Sequence, residues 1–246
     1  MRLAHKIAII TGGGSGIGKA IAQAFAREGA GVVIAGRDQG KLDRAAEEID
    51  STCLPVAADV SLSHDTEKLV NAAIEKFRRI DILVNNAAIL LPGTAESLSE
   101  EDFDQTFAIN VRGLWRLSRA VLPHMRAGGG GSIINIGSVL SMVGAWNRVA
   151  YAASKGAVLA MTRAMALDHA AENIRVNCIC PGVVETEMVA RFSMDENARR
   201  ERLAWHPLGR FGQPADIAGL AVFLASDESA WITGTAQIVD GGYSAQ

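Results

Sequence analysis

The stretch from Val149 to Leu167 reads VAYAASKGAVLAMTRAMAL. It carries Tyr151, one of two tyrosines in the chain, and Lys155 four residues on. On a helix that spacing puts both side chains on one face. A phenol beside an ammonium is a proton-transfer pair. The phenol donates to a developing oxyanion or, once ionised, takes a proton from a hydroxyl. A free tyrosine has a pKa of about 10, so about one in a thousand is ionised at neutral pH. Lowering that pKa by roughly three units corresponds to about 4 kcal/mol. An exposed pair at this spacing supplies only about 0.2–0.5 kcal/mol. The pair therefore needs a partly desolvated cleft, where charges interact more strongly, and further positive charge nearby. Ser138, thirteen residues before Tyr151 and at the end of a strand-like run, adds a hydroxyl that could orient the same oxygen.

The elements that must position these groups show as an alternation. Strands are predicted at 6–11, 31–36, 54–59, 81–87, 131–138, 174–182 and 235–242. Helical patterns lie between them: after the first strand, from Asp38 to about Ser51, over 64–78, over roughly 100–126, and over the opening stretch. With no hairpin signal between strands, the pattern implies a Rossmann-type, doubly wound parallel sheet of about seven strands, helices on both faces, in a single domain over 1–246. Region 185–215 breaks the rhythm. It is polar, rich in Met, Arg and Glu, and reads as a substrate lid inserted near the site.

Between the first strand and first helix, TGGGSGIG places Gly12, Gly16 and Gly18. Glycines there let the backbone turn tightly and approach a pyrophosphate, while the helix N-terminus offers free N–H groups. The more glycine-dense AGGGGS at 127–132 follows a helix and precedes a strand, so it falls at the edge of the sheet away from ligands. Strand two ends in Gly36, where a ribose-binding acid is usual, and Arg37 follows. A guanidinium there suits a 2′-phosphate and favours NADP, with NAD the alternative. Asp38 is the competing ribose reader, its plainer role being the cap of the next helix.

The formal net charge is −3 with no basic tail, which gives no footing for nucleic acid or an anionic membrane. Arg199, Arg200 and Arg202 read as a solvated helix face. Cys53, Cys178 and Cys180 form no disulfide framework, the latter two alternating on one face of a strand, and the histidines lack zinc-ligand spacing. The apolar run near the N-terminus is too short for a leader, and no stretch reaches membrane-span length, so a cytoplasmic protein is expected. Small residues around much of the opening helix imply burial on several faces, one of them against a partner subunit.

Taken in order, TGGGSGIG, ADV, NNAA, AINVRG, IGS, YAASK and PGVVETEM resemble the short-chain dehydrogenase/reductase family, from residue 6 to about 243. The length and the C-terminal segment are most similar to its 3-oxoacyl-carrier-protein-reductase-like branch. The resemblance implies hydride exchange between a nicotinamide and a carbonyl or secondary alcohol, with Ser138, Tyr151 and Lys155 catalytic and Asn110 holding a water in a proton relay. Ser15, Gly16, Ile17 and Gly18 would wrap the pyrophosphate, and Asp59 and Val60 would contact adenine. Asn86 and Ala87 would line the ribose side. Pro181, Gly182, Val184 and Thr186 would hold the carboxamide, and Lys155 would also bond the ribose. Ser15 and Ala88 depart from common variants, a basic residue and a glycine; the first leaves Arg37 as the main reader of a 2′-phosphate. The family is typically tetrameric. Its enoyl reductases space tyrosine and lysine further apart, which disfavours that activity here; an inactive nucleotide-binding scaffold is the other alternative. Val139, Leu140, Val143, Trp146, Val183, Met188 and Phe192 are the expected walls of the substrate pocket, leaving a 3-oxoacyl thioester, a ketone or a sugar or polyol as substrates.

Overall fold

Strands whose residues are apolar on both faces must be covered on both faces. All five residues of β1 (Ile7–Thr11) and all four of β4 (Ile82–Asn85) are buried. In the computed structural model, which describes residues 1–49, 52–190 and 196–245, they sit mid-sheet. The other strands are β2 (Gly31–Gly36), β3 (Leu54–Ala57), β5 (Gly131–Ile136), β6 (Ile174–Pro181) and β7 (Ala236–Val239). They form one parallel sheet in the order β3-β2-β1-β4-β5-β6-β7.

Side chains alternate across the sheet. Ala8, Ile10, Ile82, Val84 and Ile134 face one layer, with α1 (Gly16–Arg27), α2 (Gln39–Ile49) and α9 (Pro214–Ala225). Ile9, Leu83, Ile133 and Val176 face the other, with α3 (Ser63–Phe77), α5 (Leu114–Ala127) and α6 (Val149–His169). The chain winds outward from β1 in one direction and from β4 in the other, so the sheet has its switch point between them.

The structure differs from the sequence reading in places. The helix expected over 100–126 is three pieces: α4 (Glu100–Phe107), a π-helical turn (Ala108–Gly113) and α5. The widened turn carries buried Asn110, and Gly113 lets it approach the loop after β3: a Cβ there would meet Val60 Cγ2 at 2.8 Å. Strands three, four, five and seven end before their expected limits, because the residues that follow leave the ladder for the ligand edge. Asp38 precedes α2 and accepts from Lys41 N at 3.0 Å, the capping role; Ser51 lies outside the described residues. Region 185–215 holds α7 (Glu187–Ala190) and α8 (Glu196–Ala204), and its last residues begin α9. Cys178 and Cys180 share one face, their sulfurs 3.7 Å apart. No helix among the described residues is long and apolar enough to cross a membrane.

A buried polar chain ties the central strands to the second layer. Asn85 Nδ2 donates to Ser118 Oγ at 3.1 Å and to Asn135 Oδ1 at 2.9 Å; Asn135 Nδ2 donates to Thr162 Oγ1 at 2.9 Å. In a low-dielectric interior such groups stabilise when satisfied and cost most when one partner is lost. Asn135→Ala strands an amide hydrogen of Asn85 and an acceptor on Thr162. We expect a loss of about 2–4 kcal/mol at unchanged denaturant slope, read from urea unfolding. A loss below about 0.5 kcal/mol would show that the chain carries no stability.

Candidate active site

The carboxyl ends of the strands converge on two adjoining cavities. The first, about 260 Å³, is lined by Gly12, Ser15, Gly16 and Ile17 after β1 and by Arg37 after β2. Asp59 and Val60 after β3, Asn86 and Ala87 after β4, and Thr186 complete it. Thr11 ties β1 to β4: its Oγ1 accepts from the backbone N–H groups of Asn86 and Ala87, both at 2.9 Å. Asn86 Nδ2 donates back to Thr11 O at 2.8 Å.

These residues fit a dinucleotide. Gly12 and Gly16 have φ of +63° and +52°, which side-chain-bearing residues rarely adopt. A Cβ at Gly12 would meet Asn86 Nδ2 at 2.7 Å, closing the turn. Ser15 precedes α1 without a side-chain cap, leaving the helix N–H groups to a ligand phosphate. Gly18 does not line the cavity. It packs behind the turn, where a Cβ would lie 2.3 Å from Gly12 O, so close helix–strand approach requires a glycine there.

The second cavity, about 460 Å³, brings together Ser138, Tyr151, Lys155, Pro181, Gly182 and Val184, and shares Ile17, Asn86, Thr186 and Met188 with the first. Lys155 is 3% exposed; its Nζ donates to Ile136 O at 2.7 Å and stands 5.6 Å from the Tyr151 ring centroid. The Ser138 hydroxyl accepts from Leu140 N at 3.1 Å, capping the turn after β5, and Ser138 lies near enough to Tyr151 to pull the phenol's pKa down. Asn110 spends both amide hydrogens on Ile89 O (2.9 Å) and Ser154 Oγ (3.0 Å), while its Oδ1 accepts from Ile89 N at 2.8 Å. Its side chain thus clamps the Ile89 segment to α6.

Residues 12–244 match the protein family described as Enoyl-(Acyl carrier protein) reductase. A crystal structure of a 3-ketoacyl-(acyl-carrier-protein) reductase from Brucella melitensis, complexed with NADH, superposes with a TM-score of 0.93. It is 39% identical and covers 98% of this chain and 99% of its own. The chain belongs to the short-chain dehydrogenase/reductase family. The 3-oxoacyl-[acyl-carrier-protein] reductase of Thermotoga maritima is 39% identical over 98% of this chain and 99% of its own length. L-fucose dehydrogenase of Bos taurus is 42% identical over 98% and 90%. The family description names an enoyl reductase, whereas these relatives are named for carbonyl and alcohol substrates. A thioester and a sugar among them show that the likeness reaches the reaction class and stops short of the substrate.

In this short-chain dehydrogenase/reductase, desolvation in the cleft pushes the Tyr151 phenol up to about 12, against smaller downward pulls from Ser138 and Arg148. The sequence expects Lys155 to act on the phenol together with the oxidised nicotinamide; in the protein alone desolvation outweighs the downward pulls. Burial likewise lowers Lys155 to about 8. With a value near 8 the lysine still carries its charge at neutral pH, but desolvation is the largest influence on both groups.

The substrate walls are also partly corrected. Val139, Leu140, Trp146, Val183 and Met188 line the cavity, Trp146 at its rim with 90% exposure. Val143 is not among its lining residues, because the turn after Ser138 carries it outward. Phe192 lies outside the described residues. Arg202, read as part of a solvated face, lines the cavity from α8 beside Glu201, as does Trp205. Arg148 lines it from the residue before α6. Arg148, with Asn147, is the polar exception the sequence expects among the walls, whereas nothing local in the sequence marks Arg202 or Trp205, since only the fold swings α8 across the strand ends.

Two outcomes follow from this geometry. The folded state holds the Lys155 proton less tightly than the unfolded chain does, where the ordinary value is 10.5. Stability should therefore rise with pH between about 8 and 10, by up to roughly 3 kcal/mol from this group. Urea unfolding across that window should show the rise flatten in Lys155→Met; an identical slope in both proteins would contradict the burial account. Gly18→Ala should cost about 1–3 kcal/mol by overpacking and weaken nucleotide affinity tenfold or more. Unfolding and nucleotide titration read the two effects separately.

Proposed function

We propose that the chain is an NADP(H)-dependent oxidoreductase that exchanges a hydride between the nicotinamide and a carbonyl or secondary alcohol. One observation carries this reading: Ser138, Tyr151 and Lys155 meet where the dinucleotide-fitting cavity opens into the larger one. When bound, the nucleotide supplies or accepts the hydride and, oxidised, adds positive charge beside the phenol. The chain does the rest. Ser138 and Tyr151 direct O–H groups at the substrate oxygen. With a pKa near 12 the phenol is protonated at neutral pH, which makes Tyr151 the acid for reduction. For oxidation the phenolate must form, and the oxidised nicotinamide's charge together with Lys155 would bring its pKa down. Pro181, Gly182, Val184 and Thr186 stand where they would hold the carboxamide. A relay at Asn110 would run through its backbone carbonyl, since its side-chain hydrogens are engaged.

Arg37 lines the adenine end of the first cavity while Asp38 is spent on capping, which supports NADP over NAD. The four-residue spacing of Tyr151 and Lys155, with the names of the relatives, favours carbonyl reduction over enoyl reduction. Segment 185–215, of which Thr186, Met188, Arg202 and Trp205 line the cavity, would act as the lid of a one-domain enzyme. Ala153, Ala160, Ala164 and Leu167 on α6 are exposed in the single chain, Leu167 to 82%. That face supports a homotetramer, as does the family habit, with a cytoplasmic setting.

Tyr151→Phe should lower kcat by about 10²–10⁴-fold against a ketone panel while nucleotide still binds. Retained turnover would overturn the assignment. Arg37→Ala should lower kcat/KM for NADPH about tenfold or more relative to NADH, consistent with the loss of a charge-assisted phosphate contact. A wild-type preference for NADH that survives the substitution would reverse the cofactor assignment.

A further inference from the structure

Lys155 is tied to one short segment through both its side chain and its backbone. Its Nζ donates to Ile136 O at 2.7 Å, at the last residue of β5. Its carbonyl accepts from Ser141 Oγ at 2.9 Å. The same Ser141 oxygen accepts from Ser138 N at 3.2 Å. One hydroxyl therefore joins the backbones of Ser138 and Lys155, and the circuit closes through Gly137 and Ile136. Gly137 makes room for it: a Cβ there would meet Ser141 Oγ at 3.1 Å and Cys178 Sγ at 2.7 Å.

Ser141 ends a single 3₁₀ turn, Val139–Ser141. Buried Val139 anchors the start of that turn, but residues 142–147 after it are exposed. Ser138 Oγ accepts from Leu140 N at 3.1 Å, so the direction of the Ser138 hydroxyl depends on where the turn lies. Lys155 stands one helical turn beyond Tyr151 on α6. A slip between the turn and α6 would change the distance between the Ser138 and Tyr151 hydroxyls, which must both reach one substrate oxygen. In such constellations a misplacement of about 1 Å can cost on the order of 10²-fold in rate. The other side of Tyr151 is held separately. Ser154 Oγ donates to Tyr151 O at 2.7 Å and accepts from Asn110 Nδ2 at 3.0 Å, a contact that runs to the segment after β4. The Ser141 hydroxyl runs to the segment after β5.

Resting on the oxidoreductase reading of this site, we propose that Ser141 is a positioning residue for the reaction. Its hydroxyl sets the spacing between Ser138, on the turn after β5, and the Tyr151–Lys155 pair on α6. It acts through these residues and not on the reacting atoms. A serine that only capped the turn would need the bond from Ser138 N alone; the bond to Lys155 O is what reaches across to the helix.

The test removes the hydroxyl in Ser141→Ala and keeps it in Ser141→Thr; Ser141→Gly removes the same group should the alanine variant not fold. Turnover of a ketone panel is expressed per nucleotide-binding site, so that unfolded protein does not count. Without the hydroxyl, kcat and kcat/KM should fall together by about tenfold or more, as for a contact that matters in the transition state. Ser141→Thr should stay within about threefold of the unaltered enzyme. A second readout needs no substrate. In a Tyr243→Phe background with saturating oxidised nucleotide, the Tyr151 phenolate should appear at higher pH in Ser141→Ala than in Ser141→Thr, because a looser Lys155 assists it less. Unchanged kcat per site in Ser141→Ala, or equal losses in the alanine and threonine variants, would overturn the proposal. If no ketone is turned over, the phenolate decides alone, and equal onsets overturn it. Tyr151→Phe in the same assays keeps the two readings apart. If it retains turnover, the oxidoreductase reading falls; if it is inactive while Ser141→Ala keeps full kcat, only the role of Ser141 does.

Discussion

The structure depends on one expensive placement: a buried lysine ammonium beside a half-buried phenol. Lys155 is held by a carbonyl of the neighbouring strand, and its own carbonyl accepts from Ser141 Oγ at 2.9 Å. Such a group tolerates little slack, because a small shift would leave it unsolvated and unbonded. The surrounding framework removes that slack. Asn110 ties Ser154 to the segment after β4, and Asn135 ties Thr162 to the centre of the sheet. Polar contacts at three residues of α6, Ser154, Lys155 and Thr162, thus set its register, where its mostly small, apolar side chains would let it slide.

Burial also explains why the fold leaves activation incomplete. The desolvation that strengthens any charge interaction in the cleft also disfavours both ions. The chain by itself therefore holds a neutral phenol and an easily deprotonated lysine. In the proposed mechanism positive charge would arrive with the oxidised nucleotide and couple the ionisation of Tyr151 to the redox state of its neighbour. Parallel strands would make this coupling possible, since they bring the glycine turn and the proposed catalytic residues to the same edge of the sheet.

What was legible in the sequence was local. The glycine turn showed through its strand–turn–helix context, and Tyr151 and Lys155 through helical spacing. The seven strands showed through short β-branched runs. What stayed hidden depends on contacts between distant segments. The π-helical turn at Asn110 shifts hydrogen bonds by one residue and leaves no mark in composition. Val143 looked like a pocket wall because its neighbours are, but the turn after Ser138 sends it outward. Arg202 and Trp205 reach the cavity only because α8 and the turn after it fold over the strand ends, whereas Arg148 is legible as a polar wall residue from its place just before Tyr151. Spacing also shows only that a charged neighbour is present; how strongly desolvation opposes both ions belongs to the tertiary structure.

Only two tyrosines are present, so Tyr243→Phe leaves Tyr151 as the sole phenol. Ultraviolet difference titration of that variant, with and without saturating oxidised nucleotide, tests the central claim directly. Without nucleotide, phenolate absorbance should stay absent up to about pH 10, the ordinary tyrosine value. With nucleotide it should appear at clearly lower pH. Ionisation of Tyr151 near neutral pH without nucleotide would contradict the account, because Lys155 alone would then suffice.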